Sequence, residues 1–254
     1  MTSLVMPGAE PFSAAGGPDG VLVLHGFTGN PSSVRGLAEK LADAGFTVEV
    51  PLLPGHGTAL ADLVAVEWGD WAAAAEDAYA ELAARCPRVA VTGLSMGGGL
   101  ACLLAAHHPE IAGIVLINPL VEPPADDFRD ALANLVREGA TIAPSIGSDI
   151  ARKDVVEITY DGTPLPAALS LFSGVEEVAL RLSDIQCPVL LFSSRQDHVV
   201  PPTNGDLVAS SVSGPCERVW LEHSFHVATL DNDRDELEAR TVTFVTTVTA
   251  GADA

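Results

Sequence analysis

The segment around Ser95 constrains the fold of this 254-residue chain more strongly than any other part of the sequence. Residues 88–94 carry several β-branched side chains and are typical of a short strand, whereas residues 96–106 are small or apolar and typical of a helix. Between them the chain reads Gly-Leu-Ser-Met-Gly, with a glycine two positions before and two positions after Ser95. A serine on a sharp strand-to-helix turn has a strained backbone, and the turn closes only when those two neighbours lack side chains. The pattern therefore predicts a nucleophile elbow at Ser95.

The predicted elbow indicates acyl transfer, because the helix after Ser95 would direct its unpaired N–H groups and the positive end of its dipole at the serine. A tetrahedral intermediate carries a negative oxygen, which two N–H donors stabilise. One donor belongs to the residue after the nucleophile, Met96, and the other to the loop after an early strand. Phe27, in the glycine-rich loop after the apolar run Val21–Leu24, occupies the second place. The sequence thus predicts Phe27 and Met96 as the oxyanion hole, with His25 bracing the loop.

Strand and helix patterns alternate along the chain, which is typical of an α/β protein with a parallel sheet covered on both faces. Apolar runs predict strands at 21–24, 47–50, 111–117, 189–193 and 217–221. Helical spacing predicts a helix capped by Ser32 or Ser33 and a final helix that begins near Asp231 and Asp233. The alternation stops where prolines recur among short amphipathic pieces. We therefore predict a core of residues 1–118 and 184–254 with a cap inserted at 119–183.

Serine is a weak nucleophile unless a histidine accepts its proton, and that histidine needs a carboxylate to hold its tautomer. In chains with this elbow the order is serine, acid, histidine, with each partner placed after a strand. His226 follows the strand at 217–221 and is the predicted base. Asp197 follows the strand at 189–193, precedes a rigid Val-Val-Pro-Pro turn, and is the predicted acid. The alternatives to these two residues are His223, Asp184 and Asp206.

The chain contains 34 acidic and 13 basic residues, and its formal net charge is −21. Nucleic-acid binding depends mainly on Lys and Arg that neutralise phosphates, so this balance argues against a nucleic-acid partner and against anionic membrane surfaces. No stretch of about 18 apolar residues occurs and the N-terminus lacks a signal-peptide pattern, so we expect no stable membrane insertion and a cytoplasmic location. The four cysteines are widely spaced and the histidines lack zinc-site spacing, so we expect free thiols and no metal.

Five segments together carry a family resemblance: His-Gly-Phe-Thr-Gly at 25–29, Gly-His-Gly-Thr at 55–58, Gly-Leu-Ser-Met-Gly-Gly at 93–98, Asp-His-Val-Val-Pro-Pro at 197–202 and His-Val-Ala-Thr-Leu-Asp at 226–231. In this combination the chain resembles the bacterial monoacylglycerol lipases and the related small thermostable carboxylesterases. The resemblance implies an α/β-hydrolase fold with a mostly parallel central sheet, flanking helices and a small inserted cap. It also implies a catalytic triad of Ser95, Asp197 and His226 with Phe27 and Met96 as oxyanion donors, the same residues that spacing predicts.

By this resemblance the chain is expected to hydrolyse a small-molecule carboxylic ester without a cofactor, with monoacylglycerols or medium-chain acyl esters as substrates. Short-chain esterase, peptidase, lactonase and carbon–carbon hydrolase activities share the elbow and remain alternatives. A hydrolase-like binding protein without activity is a further alternative, although no triad residue is missing from the sequence. The sequence does not indicate an oligomeric state.

Two cap residues are predicted to contact the substrate. Glu157 lies in a stretch similar to one whose glutamate, in the bacterial lipases, meets the glycerol hydroxyls; the alternative is a solvated charge on a cap helix. Ile146 belongs to a set of apolar cap residues that would line an acyl chain or, alternatively, hold the cap onto the sheet. That set is Phe128, Leu132, Leu135, Val136, Ile142, Ile146 and Ile150.

Overall fold

A mostly parallel sheet organises the computed structural model, which describes residues 3–145 and 148–250. Its strands are β1 (Phe12–Ala14), β2 (Asp19–Leu24), β3 (Thr47–Val50), β4 (Arg88–Leu94), β5 (Gly113–Ile117), β8 (Val189–Ser194) and β9 (Cys216–Leu221), and a separate hairpin contains β6 (Ile142–Pro144) and β7 (Gly162–Pro164). Across the described sheet the order is β1-β3-β2-β4-β5-β8-β9. Only β1 runs antiparallel to its neighbour there. The predicted α/β-hydrolase architecture is confirmed.

The helices cover both faces of this sheet. They are α1 (Arg35–Asp43), α2 (Leu60–Leu63), α3 (Trp68–Ala83), α4 (Met96–His107), α5 (Asp126–Arg137), α6 (Leu165–Arg181), α7 (Thr203–Ser211) and α8 (Arg234–Thr249). Along β2, Leu22 and Leu24 pack into the core on the side of α3 and α4, whereas Val21 and Val23 pack into the core on the side of α1 and α8. Successive strand residues point to opposite faces, so a strand covered on both sides needs an uninterrupted apolar run.

The first helix begins differently from the prediction. A 3₁₀ turn at Pro31–Ser33 precedes α1, and the side chain of Asn30 caps this turn by accepting the N–H of Ser32. The prediction that Ser32 or Ser33 caps the helix is therefore wrong. The hydroxyl of Ser32 instead donates to Oδ1 of Asn30, and the hydroxyl of Ser33 donates to Glu157, 124 residues further along the chain.

The segment between β5 and β8 has a peripheral and a packed part. Helix α5 has no buried residue, and Phe128 and Leu135 on it are about half exposed. Helix α6 instead packs against α3 and α4, and Leu171 and Val175 join the core on that side of the sheet. We propose that residues 119–183 form the inserted segment, with α5 and the hairpin as its outer part and α6 as its attachment to the core. Within the described residues, no helix is both long and apolar enough to span a bilayer.

Candidate active site

The turn after β4 has the geometry of a nucleophile elbow. Ser95 has a φ angle of +56°, in the left-handed region that side-chain-bearing residues rarely adopt, and it is buried. A Cβ atom on Gly93 would overlap the carbonyl group of Gly97, and a Cβ on Gly97 would overlap the carbonyl of Leu24. Only glycine fits either place. The N–H of Ser95 donates to the carbonyl of Ile117 on the neighbouring strand at 3.0 Å, which fixes the turn against the sheet.

Asp197 and His226 meet beyond the ends of β8 and β9. Nδ1 of His226 lies 2.8 Å from Oδ2 of Asp197, and their side chains are 9% and 2% exposed. The other oxygen, Oδ1, accepts the backbone N–H groups of Val199 and Val200 at 2.9 and 2.7 Å. The turn that follows Asp197 therefore fixes the direction of its carboxylate. With Nδ1 donating to the carboxylate, Nε2 of His226 is left as the basic nitrogen.

The structure separates the alternative residues from this pair. His223 is exposed, and its backbone N–H donates to Asp233. Asp206 forms an ion pair with Arg218 on the surface. Asp184 forms another with Arg181, with Oδ2 3.7 Å from Nη1. Among the described residues, no hydrogen bond joins Oγ of Ser95 to the ring of His226.

A buried amide that the sequence analysis missed connects the strand ends. Nδ2 of Asn118, directly after β5, donates to the carbonyl of His226 at 2.8 Å and to Oγ of Ser194 at 2.9 Å. Its Oδ1 accepts the N–H of Ser194 at 2.7 Å, and the hydroxyl of Ser194 donates to the carbonyl of Phe225. Asn118 has a φ angle of +43°, so it shares backbone strain with Ser95 on the adjacent strand. A polar residue directly after an apolar strand was the available signal.

The loop after β2 is held by a neutral histidine. Nδ1 of His25 donates to the carbonyl of Gly26 at 2.9 Å, and its Nε2 accepts the N–H of Leu53 at 3.2 Å. Burial lowers the pKa of His25 to about 4. Because the carbonyl of Gly26 and the N–H of Phe27 lie on opposite sides of one trans peptide, the N–H of Phe27 is directed away from His25. The ring of Phe27 packs edge-on against Trp71, with centroids 5.6 Å apart.

Met96 is the first residue of α4 and is buried, so its N–H belongs to the unpaired first turn of a helix that begins at the elbow. Gly26 of the opposing loop lies against the elbow, since a Cβ placed on it would be 3.4 Å from Cβ of Ser95. The loop that carries Phe27 and the first turn of α4 at Met96 thus both lie beside Ser95.

Glu157 lies in an irregular part of the cap and not on a cap helix. Its Oε1 accepts the hydroxyl of Ser33 at 2.6 Å, and a Cβ on Gly29 would lie 3.2 Å from the same oxygen. Burial raises the pKa of Glu157, while the Ser33 hydrogen bond and the charge of His226 act in the opposite direction. The carboxyl group is therefore a partly buried group beside the loop of Phe27. Ile146, the other predicted substrate contact, lies outside the described residues.

A second missed feature is a pair of carboxylates between the cap and the histidine loop. Asp149 accepts the N–H of His226 at 3.1 Å. Asp231 is buried and accepts the N–H groups of Ala151, Arg152 and Phe225. Asp231 is thus a tie between cap and core, and the expectation that it caps the last helix is wrong: α8 begins at Arg234. The local pattern resembles a cap, but contacts 80 residues away in sequence decide the role.

Within residues 3–145 and 148–250, no three His, Cys, Asp or Glu side chains form a group that could hold a metal ion. The site combines a strained serine at a helix N-terminus, a loop that directs the N–H of Phe27 away from His25, and a buried histidine–carboxylate pair. Together with the parallel sheet whose strand ends carry these groups, it defines an α/β-hydrolase.

Comparison with known proteins agrees with this class. The profile of the family described as "Serine aminopeptidase, S33" matches residues 18–233. A thermostable monoacylglycerol lipase from Bacillus sp. is 45% identical over 244 residues, which cover 94% of this chain and 95% of the lipase. A carboxylesterase from Bacillus subtilis is 29% identical over 89% of this chain and 92% of the esterase.

Solved structures give the same result. A metagenome-derived lipolytic enzyme, from work on LipS and LipT, superposes with a TM-score of 0.92 at 43% identity over 96% of this chain and 100% of that one. The monoacylglycerol lipase of Paleococcus ferrophilus superposes with a TM-score of 0.79 over 94% and 99% of the two chains, and at 17% identity this supports the fold alone. The chain belongs to the α/β-hydrolase family of the bacterial monoacylglycerol lipases and small carboxylesterases, and it is a carboxylic ester hydrolase.

Proposed function

We propose that this enzyme hydrolyses monoacylglycerols through an acyl-enzyme intermediate, with Ser95 as nucleophile, His226 as general base and acid, and Asp197 as the carboxylate that orients His226. The observation that carries the substrate class is the partly buried carboxyl of Glu157 beside the loop of Phe27, in a chain 45% identical to a monoacylglycerol lipase.

In the first half-reaction, Nε2 of His226 accepts the hydroxyl proton of Ser95 as Oγ bonds to the ester carbonyl carbon. The tetrahedral intermediate then expels glycerol, and His226 gives its proton to the leaving alkoxide. In the second half-reaction, His226 takes a proton from water, which attacks the acyl-enzyme and releases a fatty acid. Ser95 recovers its proton as the second intermediate collapses, so the enzyme returns to its starting state.

The N–H groups of Phe27 and Met96 stabilise the negative oxygen of both tetrahedral intermediates in this proposal. Support comes from His25, which holds the Gly26 carbonyl and so directs the Phe27 N–H away from itself. Further support comes from the start of α4 at Met96, where the first N–H groups of the helix are unpaired.

Glu157 is proposed to accept hydrogen bonds from the free hydroxyls of the glycerol group. Its Oε1 already accepts one hydrogen bond, from Ser33, which leaves the second oxygen for a ligand. A charged acceptor favours an alcohol-bearing leaving group over an apolar one, because an unpaired buried carboxylate costs free energy. The acyl chain would then lie under the outer part of the cap, where the half-exposed apolar residues of α5 stand. Ile146 stays a predicted contact of that chain.

The other reactions open to this elbow are less well supported. The matched family profile carries an aminopeptidase description, but a lipase and a lipolytic enzyme, 45% and 43% identical, match nearly the whole chain. A binding protein without activity would have no use for a buried histidine–carboxylate pair behind a strained serine.

The test is a substrate panel that contains monoacylglycerols of increasing acyl length, the corresponding triacylglycerols, 4-nitrophenyl esters and aminoacyl 4-nitroanilides. We expect turnover of monoacylglycerols and nitrophenyl esters, and none of the anilides. A protein that cleaves nitrophenyl esters but no glycerol ester would contradict the substrate proposal.

Glu157→Gln sharpens this test, because the amide oxygen still accepts the Ser33 hydroxyl while the charge is removed. We expect kcat/KM to fall about 10-fold for monoacylglycerols, the value of one charge-assisted hydrogen bond, and to stay constant for nitrophenyl esters. Asp154→Asn is the matched control, because Asp154 is an exposed cap carboxylate paired with Arg152. Its loss should leave kcat/KM unchanged for both substrates. Equal losses on both substrates in the Glu157 variant would count against glycerol recognition.

A further inference from the structure

The carboxylate of Asp149 joins the two loops that carry the proposed acid and base. Its Oδ2 accepts the backbone N–H groups of His198 and His226, each at 3.1 Å, and its Oδ1 accepts Nδ1 of His198 at 2.8 Å. His198 directly follows Asp197 in the chain. One side chain of the inserted segment therefore contacts the acid loop after β8 and the histidine loop after β9.

The backbone of His226 is held from both sides. Asp149 accepts its N–H, and Nδ2 of Asn118 donates to its carbonyl oxygen at 2.8 Å. The neighbouring N–H of Val227 donates to the main-chain carbonyl of Asp149 at 3.1 Å. The peptide groups around the catalytic histidine are thus fixed by a core amide on one side and by the cap on the other.

Residues 148–160, here called the strap, remain attached along their length. At one end Asp231 accepts the N–H groups of Ala151 and Arg152. At the other end the carbonyl of Ile158 accepts Nδ2 of Asn30 at 2.6 Å, and the hydroxyl of Tyr160 donates to the carbonyl of Gly55 at 2.8 Å. Asp149 is therefore held in place by contacts other than its own carboxylate.

Attachment of the cap would not by itself require a carboxylate at this point. The side chain of Asp149 is only 14% exposed, and it accepts three N–H groups that belong to residues adjacent to, or part of, the acid–base pair. A contact that served only to attach the cap would not need to involve the N–H of the catalytic histidine. A displacement of about 1 Å in a catalytic group can cost on the order of 100-fold in rate.

We propose that Asp149 is a positioning residue of the hydrolase, which holds the backbone of His226 and the loop of Asp197 at the separation where their side chains hydrogen-bond. The triad is then complete only while the strap is docked, so the cap contributes to the chemical step and not only to substrate binding. This proposal rests on the triad given under Proposed function.

The test compares Asp149→Ala with Asp149→Asn. An asparagine oriented with Oδ1 toward the two backbone N–H groups keeps both hydrogen bonds, and its Nδ2 faces Nδ1 of the His198 ring. Alanine loses all three contacts. For 4-nitrophenyl butyrate at pH 8, we expect kcat of the alanine variant to fall 10- to 100-fold with KM changed less than 2-fold, and the asparagine variant to recover to within about 3-fold of the wild type.

Two further variants serve as controls for the contacts of Asp149. His198→Ala removes the side-chain contact of Asp149 but leaves both backbone contacts, so kcat should change less than about 3-fold. Asp154→Ala removes an exposed strap carboxylate that pairs with Arg152 and should have no effect. If the alanine variant does not unfold cooperatively, Asp149→Ser replaces it, because the serine side chain is too short to reach both loops.

Labelling of Ser95 by a fluorophosphonate distinguishes failure of this proposal from failure of the triad itself. A wild-type protein that is not labelled overturns both. A wild type that is labelled, with Asp149→Ala labelled at the same rate, overturns the positioning role alone. A loss in the alanine variant that appears in KM, or that asparagine does not rescue, also overturns it.

Discussion

Oδ2 of Asp197 lies 2.8 Å from Nδ1 of His226, although 29 residues and the whole of α7 and β9 separate them in the chain. The other carboxylate oxygen is occupied by two backbone N–H groups of the same loop. The two oxygens of Asp197 therefore have different roles, since one holds the loop and the other holds the imidazole. Asparagine at this position can fill only one of these roles.

Asp197→Asn should abolish most of the activity without unfolding the protein. If its oxygen stays toward the backbone N–H groups, its amino group faces Nδ1 of His226 and forces the proton onto Nε2, the nitrogen that must accept the Ser95 proton. A decrease of roughly 10⁴-fold in kcat is expected, the size seen when a triad carboxylate is replaced by an amide. Initial-rate hydrolysis of a nitrophenyl ester measures it.

Asp206→Asn is the control for that variant, since Asp206 follows the same strand but forms a surface ion pair with Arg218. Its kcat should equal that of the wild type. An active Asp197→Asn beside an inactive Asp206→Asn would reverse the assignment of the acid.

Asn118 gives a prediction about strain and hydrogen bonding together. Asn118→Ala leaves several buried groups without a partner and places alanine at a φ of +43°, whereas Asn118→Gly loses the same hydrogen bonds without the conformational penalty. We expect urea unfolding to show the alanine variant destabilised by about 2–4 kcal/mol, and the glycine variant to be more stable than it by about 1 kcal/mol. Equal stability of the two variants would mean that the backbone of residue 118 is not strained.

Most strands of the sheet, the elbow and the pairing of Asp197 with His226 could be predicted from sequence because each depends on local rules, whereas the short strands β1, β6 and β7 were not predicted. Apolar runs define strands, glycines at fixed offsets define the elbow, and loops after parallel strands meet at one edge of the sheet. Asp197 and His226 follow from that edge rule. No long-range information was needed to select them.

The contacts of the cap could not be predicted in the same way. Asp149 meets His226 across 77 residues, and Ser33 meets Glu157 across 124. Asp231 stands where a helix cap is expected, and Ser33 likewise, so the local rule gave the wrong role to both. In each case a hydrogen bond to a distant segment engages the side chain: Ser33 donates to the partly buried carboxyl of Glu157, and the buried carboxylate of Asp231 accepts N–H groups of Ala151 and Arg152. A carboxylate removed from water requires hydrogen-bond partners more strongly than a helix end requires a cap.

His25 predicts a pH dependence of stability. Its pKa is lowered by burial to about 4 in the folded protein, whereas an unfolded histidine titrates near 6.5, so the unfolded chain binds the extra proton between these values. Folding stability is therefore lost as the pH falls from 6.5 toward 4. The pKa of buried His56 is also lowered, mainly by burial, and adds to the loss in the same direction.

His25→Gln isolates one of these two contributions, because the amide can donate to the Gly26 carbonyl and accept the Leu53 N–H without titrating. The variant should be less stable than the wild type at pH 7.5, and the gap should shrink by on the order of 2 kcal/mol by pH 4.5. The exposed His223→Gln is the control and should follow the wild type at every pH. A gap between His25→Gln and wild type that is constant with pH would show that His25 is not buried as a neutral ring.

Two glycine substitutions test whether folding requires glycine at the elbow in particular and not at every glycine position. Gly69 lies in the first turn of α3, where an added Cβ meets nothing within 4 Å, so Gly69→Ala should stabilise the protein by about 0.5–1 kcal/mol by restricting the unfolded chain. A Cβ on Gly93 would overlap the carbonyl of Gly97, which is backbone and cannot move without opening the turn that carries Ser95. Gly93→Ala should therefore lose several kcal/mol of stability, or fail to fold, and any folded fraction should react slowly with a fluorophosphonate. Thermal unfolding measures the stability of both variants, and fluorophosphonate labelling of the folded protein measures the reactivity of Ser95. A Gly93→Ala variant as stable and as reactive as the wild type would contradict the tight contact between residues 93 and 97, on which the geometry of Ser95 depends.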